Sequence, residues 1–257
     1  MPLSLEEERR LRVGATVPQD RPLRRRCIEY LIGFFKPPYL WMVIYSLCYL
    51  AGFLFIERAV HPDHYFLIHS PIDDLIPFCE YFAIPYLLWF FYWIGALLYF
   101  GVRRMAGGDC GDFFLLSWTL AIGMTTFIIT SLVFPNEINL RPDVLPRENF
   151  FTWACTMIWA NDTPTNVLPS IHVFNSIATH VAVRRCKTIR FHNAVKYSSF
   201  VLCVLIIVGT LFIKQHSIVD IVTAVILYII VYAIVYRSPF SKFVRGKEFA
   251  QRQAELA

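Results

Sequence analysis

Five long apolar segments constrain this sequence of 257 residues more than any other feature. Each is close to or above the run of about 20 residues that a helix needs to cross a hydrocarbon layer about 30 Å thick. Short stretches rich in Arg, Lys, Gly, Pro or Asn separate them. The segments are 39–56, 75–100, 113–134, 194–213 and 218–236. They predict an all-α integral membrane protein.

A sixth segment, 169–183, is more polar, because it contains Ser170, His172, Asn175 and His180. A helix of this composition needs protein or water around it rather than lipid. We expect it to cross the membrane inside a bundle formed by the other five. The predicted fold is therefore a six-transmembrane-helix bundle.

The distribution of Lys and Arg supports six spans, because cytoplasmic loops are enriched in these residues. With six spans, 20 of the 24 basic residues fall on one side, and the other side has Arg58, Arg141, Arg147 and Lys214. Five spans would move the basic segment 184–196 to the wrong side. We therefore expect a cell-membrane protein with both termini in the cytoplasm.

Composition excludes several other classes of protein. The chain is 56% hydrophobic and 17% charged, whereas soluble domains are about 25% charged. Its net charge of +5 comes from basic clusters beside apolar segments, which indicates membrane orientation and no nucleic-acid partner. Membrane lipids are the expected partners, and the oligomeric state stays open. The predicted organisation is a basic cytoplasmic arm (1–38), a six-helix membrane domain (39–236) and a cytoplasmic tail (237–257).

The predicted outer start of the last helix carries a histidine and a carboxylate, His216 and Asp220. Residues four apart share one face of a helix, so the carboxylate can accept a hydrogen bond from one imidazole nitrogen. The other nitrogen then stays basic, as a nucleophile or a general base requires. A purely structural pairing of an interfacial histidine with a buried aspartate has the same spacing.

The predicted outer start of the fourth helix carries the sequence Pro169-Ser170-Ile171-His172. Proline cannot continue a preceding helix and serine is a favoured N-cap, so the helix should begin here. Its free amides, its dipole and the Ser170 hydroxyl would together favour a phosphate beside His172. An ordinary helix cap with a histidine at the headgroup level is the alternative.

A third element, Arg141-Pro142, lies in the outer loop between the third and fourth helices. The planar guanidinium group matches the oxygens of a phosphate. An isolated Arg-Pro pair is a common loop feature. It becomes informative through its order along the chain, before the two histidine motifs and on the same side of the membrane.

Arg-Pro, then Pro-Ser-x-His, then His-x-x-x-Asp, on the outer side of six helices, resembles the type 2 phosphatidic acid phosphatase superfamily. The resemblance covers about residues 75–236. Ile171 replaces the glycine of the second motif, as in branches similar to sphingomyelin and inositol-phosphorylceramide synthases. Two cations of the family pattern are absent, since their positions fall on Phe134 and Thr210. Lys214 could replace one of them.

The resemblance implies a membrane lipid phosphatase with a phosphohistidine intermediate. His216 would attack phosphorus, Asp220 would hold His216, and His172 would protonate the departing oxygen. Arg141, Ser170 and Lys214 would bind the phosphate of a lipid phosphomonoester or pyrophosphate. The resemblance implies no metal and no cofactor.

Two other functions stay open. In a lipid phosphotransferase similar to the phosphorylceramide synthases, a second lipid replaces water as the acceptor. In a non-enzymatic membrane transporter, the polar residues would line a path, although the sequence lacks the two matching halves typical of such proteins.

Several polar residues are not assigned to the site. His61, Asp63, His64 and His69 have a ligand-like spacing, but loop histidines without a second cluster are usually solvated, so we predict no metal site. Glu80 is expected to form a buried hydrogen bond, His180 to be a packing residue, and Cys155 to form no disulfide. Four residues before the second motif could line the headgroup pocket or be ordinary turn formers, and none is assigned individually: Asp162, Thr163, Thr165 and Asn166.

Overall fold

The computed structural model describes residues 22–36, 39–60, 62–106, 112–186, 189 and 191–240. In this part of the chain the regular elements are helices apart from two strands of two residues each, which confirms the all-α prediction. The helices are α1 (Leu23–Phe34), α2 (Leu40–Ala59), α3 (Pro71–Leu75), α4 (Ala83–Met105), α5 (Asp112–Val133), α6 (Phe150–Asn161), α7 (Ile171–Arg185), α8 (His192–Phe212) and α9 (Ile218–Tyr232).

Five of the described helices are long and apolar enough to cross a membrane. They are α2, α4 with the 3₁₀ turn Glu80–Phe82 before it, α5, α8, and α9 with the π-helical turn Ala233–Arg237 after it. The chain is therefore an integral membrane protein by helix length and composition. The five long apolar segments of the sequence correspond to these five helices in order. Six spans were predicted, and the sixth segment is not among these five helices.

Helix α7 occupies the predicted sixth segment and lies at the centre of the bundle, against α4, α5, α8 and α9. Its 15 residues extend about 22 Å, which is less than the hydrocarbon thickness. Asn175, Ser176 and Thr179 on this helix are completely buried. The surrounding helices explain how so polar a segment lies inside an apolar bundle.

Helix α5 carries much of the apolar core, with Leu115, Leu116 and Leu120 completely buried. Gly123 of α5 packs against Phe174 of α7. A Cβ atom there would lie 2.1 Å from the Phe174 ring, so a side chain at this position would displace that ring.

The structure differs from the predicted spans at the second apolar segment. That helix was expected to begin at residue 75, but α3 ends at Leu75, and α4 begins at Ala83. Pro77 lies between them and lacks the N–H that a continuous helix would need. The chain instead forms a short irregular segment that lies against the end of α8, where the Cys79 N–H donates to the Phe212 carbonyl at 2.9 Å.

Three of the described helices were not predicted, and the short helix α3 is one of them. Helix α6 lies in the segment expected to be a loop, and α1 lies at the end of the expected N-terminal arm and packs against α4. Most of the arm, 1–21, and most of the tail, 241–257, fall outside the described residues.

The loop before α7 is organised by a short parallel pair of strands, β1 (Phe66–Leu67) and β2 (Asn136–Glu137). The buried side chain of Asn136 accepts hydrogen bonds from the N–H groups of Val167 and Leu168, at 2.9 and 3.0 Å. These bonds fix the backbone just before Ser170, where α7 begins.

Candidate active site

The first turn of α7 and the residue just before the N-cap of α9 bring His172 and His216 into contact. His172 Nδ1 lies 3.2 Å from His216 Nε2, and each residue is 5% exposed. We call this contact the histidine pair, and the end of the bundle where it lies the histidine end.

Asp220 holds the far side of His216. Its Oδ2 atom lies 3.2 Å from His216 Nδ1 and also accepts the Ser217 N–H at 2.8 Å. If Nδ1 carries the proton, the Nε2 lone pair points to His172. The predicted bond between His216 and Asp220 is therefore confirmed, and the cap of α9 orients the carboxylate that makes it.

Ser170 is the N-cap of α7, as predicted. Its hydroxyl accepts the Val173 N–H at 3.4 Å, and its own N–H donates to the Asp220 carbonyl at 3.4 Å. Helices α7 and α9 are therefore joined directly at their starts. His172 lies in the first turn of α7, where the helix dipole favours an anion.

Arg141 contacts residues next to the histidine pair. Its guanidinium donates to the carbonyls of Trp159 (3.3 Å) and Asp162 (2.7 Å), and to Oε1 of Gln215 (2.5 Å), the residue before His216. It also lies over the Trp159 ring at 5.5 Å. Burial lowers the pKa of Arg141, and the charge of Asp162 acts in the opposite direction. These hydrogen bonds connect the loop that carries Arg141 to the end of α6 and to Gln215.

Lys214 has its ammonium bonded to backbone rather than to the histidine pair. Its backbone is left-handed, with φ of 57°, and Nζ donates to the carbonyls of Asp73 (2.9 Å) and Ile76 (2.5 Å). Burial lowers the pKa of Lys214, while the Asp73 charge raises it. A role for Lys214 in binding phosphate stays a prediction, and it requires this ammonium to exchange partners.

Sequence reasoning missed the carboxylate beside His172. Asp162 Oδ2 lies 3.9 Å from His172 Nε2, and the Tyr86 hydroxyl donates to the same carboxylate. The rings of Tyr86 and Trp89 lie 4.4 and 4.2 Å from the imidazole. Asp162 was not assigned individually from the sequence, and Tyr86 lies in an apolar segment that gave no sign of a polar role.

The two positions that lack the expected cations are apolar or closed. Phe134 stacks on Phe66 with 4.5 Å between ring centroids. Thr210 is completely buried, and its hydroxyl donates to the Ile207 carbonyl. Neither position offers a donor to a phosphate.

A cavity of about 730 Å³ extends from the histidine pair between α2, α4, α5 and α6. Asp162, Gln215 and Glu57 accompany the histidines at its polar end, whereas the rest of its wall is mainly aliphatic and aromatic. Cavity-lining Leu47 is 63% exposed, so the cavity is open along α2. The other exposed large apolar side chains that line the cavity are Leu50, Leu87, Phe90, Ile94, Phe150, Trp153 and Met157.

The remaining polar residues lie apart from the histidine pair. Glu80 is buried and accepts from Arg147 (2.9 Å) and from Asn149 Nδ2 (3.1 Å), which ties the loop between α5 and α6 to the turn before α4. Burial raises the pKa of the Cys155 thiol, which contacts the Glu80 carbonyl, to about 11. His180 contacts Ser199 Oγ at 3.1 Å.

Of the three loop histidines, the structure describes His64 and His69, and neither belongs to a group of potential metal ligands. Asp63 and His64 are exposed, His69 pairs with Asp74 at 2.9 Å, and His61 lies outside the described residues. Within the part of the chain that the structure describes, no three His, Cys, Asp or Glu side chains form a group that could hold a metal ion.

Comparison of the chain with protein-family models, with curated proteins and with solved structures finds no match.

Proposed function

We propose that this protein is a membrane lipid phosphatase that acts through a phosphohistidine on His216. The observation that carries the proposal is the line from Asp220 through His216 to His172, with an apolar cavity beside it. A carboxylate, an oriented imidazole and a second imidazole supply a nucleophile and an acid–base group. The cavity supplies an apolar space for the chain of a lipid.

In the proposed reaction, the Nε2 lone pair of His216 attacks phosphorus, and the bond from phosphorus to the lipid oxygen breaks. His172 gives its proton to that oxygen. In the second step His172 takes a proton from water, the water oxygen attacks phosphorus, and the N–P bond breaks. Asp220 stabilises the positive charge on His216 between the steps. Because the two imidazoles are in contact, the hydrogen bond between them must break before phosphorus can reach His216 Nε2.

Phosphate binding is assigned to Ser170, Arg141 and Lys214 together with the first amides of α7. Arg141 and Lys214 would exchange carbonyl partners for phosphate oxygens, which strengthens their hydrogen bonds because both partners are then charged. The proposed orientation places the histidine end outside the cytoplasm and both termini inside it, with α7 as the sixth span. The basic segments between the spans support this orientation.

A lipid phosphotransferase is the second candidate, and a specific observation favours it. Two carboxylates, Asp162 and Glu57, line the polar end of the cavity. Glu57 accepts the Thr163 hydroxyl at 2.6 Å. Carboxylates there repel a phosphomonoester with two negative charges more than a phosphodiester with one, and they can accept hydrogen bonds from the hydroxyl of a second lipid.

Purified protein in detergent, given phosphatidic acid, a polyprenyl pyrophosphate or a phosphodiester lipid with an alcohol acceptor, tests both candidates. Release of inorganic phosphate supports the phosphatase, and headgroup transfer to the acceptor supports the phosphotransferase. Acid-labile, base-stable label on the wild type, absent from His216→Ala, would identify the phosphohistidine. Activity that survives His216→Ala would overturn both candidates and favour the transporter.

A further inference from the structure

A second buried carboxylate, Asp73, lies next to the nucleophile's helix and has no place in the reaction described above. It belongs to α3, in the segment before α4, and is 1% exposed. Burying a carboxylate is costly unless donors surround it. Its donors therefore indicate what the carboxylate does.

Asp73 caps two helices at once. Its Oδ2 atom accepts the Ser70 N–H at 2.8 Å, which closes the capping box of its own short helix. The same oxygen accepts the Ser217 hydroxyl at 2.6 Å, and Oδ1 accepts the Ile218 N–H at 2.8 Å. The last two donors belong to the start of α9, about 145 residues further along the chain.

Lys214 joins the same two segments in the opposite direction. Its ammonium donates to the carbonyls of Asp73 and Ile76, so a donor from the α8–α9 connection binds the backbone of the α3 segment. His216 lies between Lys214 and Ser217. The α3 segment therefore holds the chain on both sides of the proposed nucleophile.

The two carboxylates at the start of α9 have different partners. Asp220 accepts from the Ser217 N–H and from His216, whereas Asp73 accepts from the Ser217 hydroxyl and the Ile218 N–H. Ser217 is thus held by both carboxylates. Any shift of Ser217 changes the angle at which Asp220 meets His216 Nδ1.

We propose that Asp73 is a positioning residue, which fixes the first turn of α9 so that Asp220 keeps His216 in the tautomer with Nε2 free. The proposal rests on the proposed function in taking His216 as the nucleophile. Asp73 acts through Ser217 and Ile218, without contact to phosphorus. Because hydrogen bonds to a carboxylate are charge-assisted, Asn is a poor replacement although its size is the same.

The experiment compares wild type, Asp73→Asn and Ser217→Ala, with Asp74→Asn as the matched control. Asp74 is the neighbouring carboxylate on the same short helix, but it is exposed and pairs with His69. The histidine ring nitrogens are labelled with ¹⁵N, and their signals are followed against pH in detergent micelles. Turnover of the lipid phosphate is measured on the same samples.

We expect Asp73→Asn and Ser217→Ala to move the His216 Nδ1 and Nε2 signals towards a mixture of tautomers. We expect each to lower kcat by about tenfold or more, with KM within about twofold. The double variant should lose about as much turnover as the stronger single variant. Both substitutions disrupt the same contact between Ser217 and Asp73, so their effects are not additive. Asp74→Asn should match the wild type in both measurements. Asp73→Glu, which keeps the charge, should restore part of the lost turnover.

His216 signals that match the wild type in Asp73→Asn overturn the positioning role, with or without measurable turnover. Altered signals in a protein whose wild type shows no turnover keep the positioning role and overturn the proposed function. If Asp73→Asn fails to fold, Ser217→Ala, which removes one hydroxyl, decides the outcome by the same two measurements.

Discussion

His216 and His172 face each other, but they are held in different ways. His216 has a carboxylate at 3.2 Å, on a helix start that is capped by Asp220 and Asp73. His172 lies between the rings of Tyr86 and Trp89, and its nearest carboxylate, Asp162, is 3.9 Å away. Hydrogen bonding to Asp220 fixes the His216 ring. Packing against Tyr86 and Trp89 holds the His172 ring, which can therefore exchange its hydrogen-bond partner.

The difference fits the two tasks in the proposed reaction. A nucleophile works best when its orientation is fixed before the substrate arrives. An acid–base group must bond first to the departing oxygen and then to water, so it needs a partner that it can leave. The comparison therefore makes predictions that treat the two histidines separately.

The largest expected effect separates the two histidines by mutation. His216→Ala should lower turnover by at least about 1,000-fold, because the nucleophile is lost. His172→Ala should still form the phosphohistidine with substrates whose leaving group needs no proton, such as an aryl phosphate. Rapid-quench measurement of labelled protein distinguishes the two.

His180→Ala is the control for those variants, since His180 lies on α7 and contacts Ser199 rather than the histidine pair. It should keep turnover within about threefold of the wild type. Equal loss of label in His216→Ala and His172→Ala, for every leaving group, would contradict the division of tasks.

A smaller effect concerns the carboxylate beside His172. Asp162→Asn removes a negative charge from the polar end of the cavity while keeping a similar shape. We expect the ratio of monoester to diester turnover to rise by about tenfold, which corresponds to roughly 1.4 kcal/mol. Competition between the two lipid classes in one micelle measures the ratio. A ratio unchanged from the wild type would show that Asp162 does not set the substrate class.

Lys214 allows a test based on stability and pH. Because burial lowers its pKa below the ordinary value of 10.5, the native state binds fewer protons than the unfolded state between the two values. Stability should therefore rise with pH within that window, up to about 10.5. Lys214→Met should lose this rise, and it should cost on the order of 1–3 kcal/mol through its two unpaired carbonyl partners.

Thermal unfolding of detergent-solubilised protein between pH 8 and about 10.5 gives this slope, with Lys196→Met as the matched lysine control. Turnover of Lys214→Met answers a second question. If the folded variant keeps wild-type kcat and KM, its ammonium does not bind the phosphate, and that part of the proposal fails.

The smallest expected effect is that of a chelator. The charges needed at phosphorus are assigned to Arg141, Ser170, Lys214 and the amides of α7, so EDTA should leave the rate unchanged within experimental error. Phosphate release before and after dialysis against chelator measures this. Loss of the rate, and its return with a divalent ion, would require a metal in the mechanism.

Local patterns in the sequence predicted one part of the site well. The pairing of His216 with Asp220 and the cap at Ser170 are short-range features. The expected shared helix face is wrong, because His216 lies one residue before the N-cap Ser217, and the bond to Asp220 comes from the capped start of α9. The spans followed from length and hydropathy, although Pro77 delayed the start of α4. Even the polar α7 was expected, because with five spans the basic segment 184–196 that follows it would lie on the wrong side.

The rest of the site depends on contacts between distant segments. Asp73 meets Ser217 across 144 residues, and no local pattern relates two such positions. In the sequence, Tyr86 is one of many aromatic residues in an apolar segment. Only the fold shows that it lies against Asp162. Lys214 has a left-handed backbone, and its ammonium binds the carbonyls of Asp73 and Ile76 rather than the histidines. The sequence shows a lysine at this position but not the direction of its side chain.

Under the proposed function, the opening of the cavity along α2 and α4 would also determine how a lipid reaches the histidine pair. A molecule that reaches the histidine pair through this opening arrives from within the bilayer, by diffusion in two dimensions. Occupancy then follows the mole fraction of the lipid in its leaflet rather than its concentration in the bulk phase. Dilution of the substrate with an inert detergent should slow the reaction even when the total amounts of substrate and protein are constant.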